Sequence, residues 1–294
     1  MRRPAQPAGN AATAIKAAMR RADQSWRWAV VLVLALTMTG CTSSAARPGQ
    51  PPRASAPSGQ AATASTAQQR FGVLLSTPAR QLASSAGVSL SQLVAGALTR
   101  INALLPGPPT VIVVQTGNPS QLIPQAGTNG FTRPSGQVIL QVGRTAQSTL
   151  ARTLHLWLPR DLAHEVNHSV RILDETEFGT TLLQQTISEG IATAFDQAAF
   201  PGTPDPWTLA ITPAQECTLW EKVKPQLSAT NLYNLWMFGG PGVPHWTAFT
   251  IGYHIVNDYR NHHRNVSWAQ LTAASATAIL AASHYQPCPP PGSG

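Results

Sequence analysis

Between Thr42 and Arg70 the chain reads TSSAARPGQPPRASAPSGQAATASTAQQR, almost only Ser, Ala, Pro, Gly, Thr and Gln with a few Arg. Such a stretch buries too little apolar surface to offset the conformational entropy lost on folding. It reads as a disordered tether, semi-extended where Pro is dense. Whatever folds must therefore start near Phe71, and residues 71–288 are long enough for one sizeable domain. Charge divides at the same place. Residues 1–40 hold six Lys/Arg and one acid, Asp23, whereas residues 71–294 hold eleven Lys/Arg and eleven Asp/Glu. The net charge of +8 thus belongs to the leader and the tether. The folding part is neutral and lacks the basic stripe that nucleic-acid binding requires, so no nucleic-acid partner is expected.

Ahead of the tether, Arg20, Arg21 and Arg27 precede an apolar run from Trp28 to Thr39. The run falls short of the ~20 residues of a spanning helix and fits the apolar stretch of an export signal. It ends in Met38-Thr39-Gly40-Cys41. Residues 1–40 read as a signal peptide, and the small residues before Cys41 resemble a lipobox, with Met38 where such motifs usually carry Leu. The expectation is an extracytoplasmic protein of the cell envelope, anchored to a membrane by a lipid on Cys41; secretion is the alternative. In an oxidising envelope Cys217 and Cys288 are expected to form a disulfide. Residues 41–70 then form the lipidated Cys and tether, and 289–294 a flexible tail.

Periodicity divides the rest. Apolar residues at Leu90, Leu93, Val94, Ala97, Leu98, Ile101 and Leu104 predict a helix over Ser89–Leu105, stopped by Pro106. The runs Thr110–Gln115 and Gln137–Val142 are β-branched or apolar and predict strands. A helix is expected from Asp161, a plausible N-cap, with Leu162, Val166 and Val170 as its buried stripe. Another is expected from Thr181 to Phe200, ended by Pro201. Further helices are predicted near Pro213–Val223, Ser228–Trp236, Thr247–Tyr259 and within Trp268–Ser283, with Gly239–Pro244 as a loop able to form a mobile rim.

The chemistry concentrates in His164-Glu165-Val166-Asn167-His168. On a helix, residues four apart point the same way, so both imidazoles can reach one ion. Glu165 lies about 100° round the helix, at the edge of that ion, where it can take a proton from a metal-bound water. A catalytic zinc needs a third protein ligand and one open position. Glu189, in Ser188-Glu189-Gly190-Ile191-Ala192, is the candidate, with Asp174, Asp196 and His245 behind it. Gly190 inside a helix calls for a close approach, here expected to the His-bearing helix. Asp196, seven residues after Glu189, is a candidate partner for the second nitrogen of a ligand His. Tyr253 and His254, then His245, are candidates for stabilising a developing oxyanion.

The HExxH helix, the SEGIA segment and Gly252-Tyr253-His254-Ile255-Val256 together resemble a bacterial family of domains of unknown function, described as predicted zinc-dependent proteases. That family is gluzincin-like, with two His and a downstream Glu on zinc. The resemblance spans about Gln137 to Leu280, and Val166 stands where such motifs often carry an aromatic. It implies an α+β, mainly helical, zincin-like metalloprotease domain with a small β-sheet and the motif on its active-site helix. It further implies one Zn2+ per chain on His164, His168 and Glu189, Glu165 as general base, and a peptide or protein substrate. Gln137–Val142 is expected to be the edge strand that holds extended substrate. Two other functions use the same residues: a zinc hydrolase acting on a non-peptide cell-wall amide, and an inactive envelope lipoprotein that binds a partner.

Overall fold

A computed structural model describes residues 70–174 and 179–288. The leader 1–40, Cys41, nearly all of the tether and the tail 289–294 lie outside the described residues, as do residues 175–178. The architecture is α+β and mainly helical, with one small sheet. Among the described residues no helix is long and apolar enough to cross a membrane.

The sheet begins with β1 (Phe71–Leu75), which the composition of its neighbours hid. Two helices, α1 (Thr77–Ser84) and α2 (Leu90–Leu104), carry the chain over to β2 (Thr110–Thr116), parallel to β1. A hairpin then sets β3 (Thr128–Thr132) antiparallel to β4 (Val138–Val142), and β4 slots in parallel beside β2. The order is β1-β2-β4-β3. The strand over Gln137–Val142 is therefore internal, and the edge next to the motif helix is β3, which sequence patterning missed. Its residues, Thr-Asn-Gly-Phe-Thr, include two poor strand formers.

Ile112, Val114, Val138, Leu140 and Val142 point to one face and are fully buried. They pack on Ala79, Ala83, Val94, Leu98 and Ile101 of α1 and α2, and on Leu162, Val166 and Val170 of α3 (Leu158–Leu173). The expected stripe on α3 is thus its core face. Its start differs from expectation. Asp161 is no cap, because a turn at Leu150–Arg152 and a π-helical stretch at Thr153–Trp157 feed straight into α3. Pro159 has no N–H to give the carbonyl four residues back, and its ring crowds that carbonyl. The wider π turn, with Leu158 N–H donating to Thr153, absorbs the conflict. Asp161 consequently lies inside the first turn of α3, buried.

A second core joins α4 (Leu182–Ala199), α5 (Pro213–Val223), α6 (Tyr233–Phe238), α7 (Thr247–His262), α8 (Trp268–Ala273) and α9 (Ala276–Ser283). Thr181 caps α4 through a reciprocal capping box with Gln184. The close approach at Gly190 is real, but its partner is α7 rather than α3. A Cβ on Gly190 would lie 2.3 Å from the Gly252 carbonyl, and one on Gly252 would lie 2.1 Å from the Thr186 carbonyl oxygen. Two glycines let the backbones of α4 and α7 touch, which fixes α4 and the residues it presents. Cys217 and Cys288 are disulfide-bonded, tying the chain after α9 to α5. Beside them the Tyr285 hydroxyl donates to Glu216.

Candidate metal centre

α3 and α4 lie side by side, and three side chains meet between them. Helical spacing brings His164 and His168 to one face of α3, with their Nε2 atoms 3.0 Å apart. From α4, Glu189 Oε2 reaches 3.1 Å from His164 Nε2 and 3.3 Å from His168 Nε2. All three side chains are buried or nearly so. Two imidazole nitrogens and a carboxylate oxygen, three good metal donors, are thus brought to one point. Donors ~2.0–2.1 Å from a tetrahedral zinc stand about 3.3 Å from each other, which is the spacing seen here. The donor set therefore fits a single zinc ion, and His164, His168 and Glu189 would hold it.

The surroundings orient these donors. His164 Nδ1 lies 3.2 Å from Asp196 Oδ2, and His168 Nδ1 lies 3.5 Å from Ser188 Oγ. With metal bound, Nδ1 of His164 would donate to Asp196 and leave the Nε2 lone pair for the ion. Behind Asp196 stands Asp205, paired with Arg160, whose Nη1 lies 2.8 Å from Asp205 Oδ1. Burial pushes the Asp196 carboxyl well up, and the facing Asp205 adds to this. Burial alone would lower the His164 pKa, but its hydrogen bonds to Asp196 and Glu189 raise it well above the ordinary value. Burial would raise Glu189, yet the charges and hydrogen bonds of His168 and His164 overcome this and hold it far below the usual carboxylate range.

Glu165 turns from the His pair toward β3. The Thr132 hydroxyl lies 2.7 Å from Glu165 Oε2 and 2.9 Å from its main-chain carbonyl. Gly130, on the same strand, leaves the space in which the carboxylate sits: a Cβ there would be 2.7 Å from Oε1. Burial raises the Glu165 pKa against the opposing pull of His168 and His164. These groups face a cavity of about 910 Å³, whose further lining is largely apolar, including Phe131, Trp207, Trp246 and Phe249.

Not every expected residue arrives. Tyr253 is absent from the cavity wall; it packs against the second core, with its hydroxyl 3.4 Å from Gln197 Oε1. His254 points to Glu216, at 2.7 Å, on another side of α7. The tyrosine that reaches the cluster is Tyr233 on α6, whose hydroxyl donates to Glu189 Oε1 at 3.3 Å. Burial and the neighbouring Glu189 raise its pKa, so it remains a proton donor. No motif marked it. His245 does line the cavity. So do Trp246 and Phe238, the latter flanking the Gly239–Pro244 loop opposite His245.

No curated protein and no solved structure matches the chain. The model of a family described as predicted Zn-dependent protease (DUF2268) matches residues 90–281, from the start of α2 into α9, and so takes in the whole cluster. The chain belongs to this family of predicted zinc-dependent proteases.

Proposed function

We propose that the protein is a zinc-dependent peptidase whose zincin-like domain spans residues 71–288. The observation that carries this reading is the meeting of His164, His168 and Glu189 within 4.8 Å, with Glu165 beside them in the same cavity. His164, His168 and Glu189 would hold a zinc ion, which when bound would supply a water acidified to near pKa 7 and a polarised carbonyl. Glu165 accepts the water proton and passes it to the leaving amine. Thr132 holds one of its carboxylate oxygens, which leaves Oε1 free to work. Asp196 keeps the His164 ring turned and its Nδ1 protonated. Tyr233 takes the oxyanion-donor role that Tyr253 was expected to fill.

β3 suits an extended peptide. Its Asn129 and Phe131 pair toward β4, so the backbone groups of Gly130 and Thr132 face outward at the sheet's edge. A peptide adding to this edge places its main chain across the cluster. The proposal also places the enzyme at the cell envelope, held through a lipid on Cys41; mass spectrometry of the mature N-terminus reads the modification.

The test is metal content and turnover of the purified full chain. About one zinc per chain is expected, with peptide hydrolysis lost on chelation and restored by zinc. Glu165→Ala should retain the metal and lose about 10²–10⁴ in kcat. Wild-type turnover in that variant would contradict the reading.

A further inference from the structure

One end of the cavity carries features that metal binding and water activation do not use. Trp207, Trp246, Phe249 and Ile123 cluster on its wall, and Asp161 lines the same cavity. The Trp207 and Trp246 rings meet edge to face at 5.9 Å, and Trp207 leans on buried Trp157 at 6.0 Å. Trp246 has φ 64, a left-handed conformation unfavourable for a bulky residue. It is held there by its N–H donating to Met237 at 2.9 Å and by its carbonyl accepting from Thr250. Backbone outliers kept by such contacts concentrate at functional sites.

Asp161 is 7% exposed, and its Oδ2 is buried with no hydrogen-bond partner. The Thr128 hydroxyl beside it eases its ionisation without meeting Oδ2 at normal geometry. Buried polar atoms are nearly always paired, so an orphaned carboxylate oxygen on a cavity wall points to a ligand group that donates to it. Charge states which kind. Among the described residues the cavity is lined by Asp161, Glu165 and Glu189 and by no Lys or Arg. Burial pushes the Asp161 carboxyl up to about 7, as expected of an acid that lacks a cation. Aromatic faces attract cations, and a carboxylate completes a charge-assisted hydrogen bond. The strand edge also closes here, because the Ile123 N–H takes the Thr128 carbonyl at 2.8 Å. A peptide lying along β3 cannot continue its pairing past this point.

We propose that the cavity end around Asp161, Trp207 and Trp246 is a subsite for an organic cation on the substrate, an ammonium or guanidinium borne by a Lys or Arg side chain or by a free N-terminus. This rests on the peptidase reading and adds a substrate class to it. The cation pairs with Asp161, and the carbon chain that bears it lies against the two indoles.

The test titrates three probes into the zinc-loaded full chain by calorimetry. N-acetyl-lysine amide carries only a side-chain ammonium, norleucine amide only an N-terminal one, and N-acetyl-norleucine amide neither. At least one charged probe should bind at least about tenfold more tightly than the neutral one. Whichever it is identifies the source of the cation. Asp161→Asn, checked for folding by circular dichroism, should erase the preference. The comparison among probes on the wild-type chain stands even if that variant misfolds. Equal binding of all three probes, or a preference that survives Asp161→Asn in a folded protein, overturns the subsite. A positional peptide library separates the two readings. Cation preference in binding without any cleavage sinks the peptidase and keeps the subsite. Cleavage indifferent to Lys, Arg or a free N-terminus, with equal probe binding, does the reverse.

Discussion

Replacing Gly130 by Ala presses a methyl group against the Glu165 carboxylate. The added Cβ would lie 2.6 Å from Glu165 Cγ and 2.7 Å from Oε1, whereas ordinary contact begins at 3.4 Å. Something must yield by 3.4 − 2.6 = 0.8 Å. β3 is pinned by its ladder to β4, so the side chain of Glu165 is the part that moves. It cannot swing away and still accept from Thr132 at 2.7 Å. A shift near 1 Å at a reacting group costs about 10²-fold in rate, or about 2.7 kcal/mol of barrier. Stability should change little, since one hydrogen bond is worth about 1 kcal/mol, or roughly 2–4 °C in a domain of this size. The zinc donors are untouched. Gly130→Ala should therefore keep its zinc and nearly its melting temperature while kcat/KM on a fluorogenic peptide falls about a hundredfold. Activity within threefold of wild type would refute the claim that β3 positions the base. Loss of zinc together with activity would show that the strand supports the ligands instead.

Other perturbations separate structural from chemical roles. Gly252→Ala drives a methyl into the Thr186 carbonyl, at 2.1 Å, with backbone on both sides; overpacking should cost about 1–3 kcal/mol or more, read by denaturant melts. Asp196→Asn removes the carboxylate 3.2 Å from His164 Nδ1 and should weaken zinc about 10–100-fold in a competition titration, with the fold retained. Asp161 gives a pH signature in the metal-free protein. Burial lifts its folded pKa from 3.8 to about 7, so between those values the native state holds more protons than the unfolded one. Unfolding free energy should then fall as pH rises through that window, by up to about 4 kcal/mol. Asp161→Asn should flatten this loss; an unchanged pH profile would contradict it.

What could be read ahead of the structure was whatever rested on local spacing. The i,i+4 histidines, the buried stripe of Leu162, Val166 and Val170, and the helix start near Thr181 are properties of single helices, and each lies where periodicity placed it. β2 and β4 were legible because Thr110–Thr116 and Val138–Val142 are rich in β-branched and apolar residues. β3 was not, because an edge strand crowded against Glu165 needs Gly130, which weakens the strand pattern. Asp161 passed for a helix start because a π turn before Pro159 leaves no mark in composition. Tyr233 and Tyr253 were indistinguishable as isolated aromatics. Only the packing of α6 against α7 brings the first to Glu189, while the second turns to Gln197. Gly190 correctly signalled a close approach, but the partner, Gly252, is a tertiary fact.

The convergence of two imidazoles and one carboxylate on a single ion is read most directly by X-ray absorption at the zinc edge of the metal-loaded chain. Nitrogen and oxygen neighbours at about 2.0–2.1 Å, with imidazole scattering from two rings that becomes one in His168→Ala, are expected. A six-coordinate aquo spectrum, or one that His168→Ala and Glu189→Ala leave unaltered, would contradict the assignment.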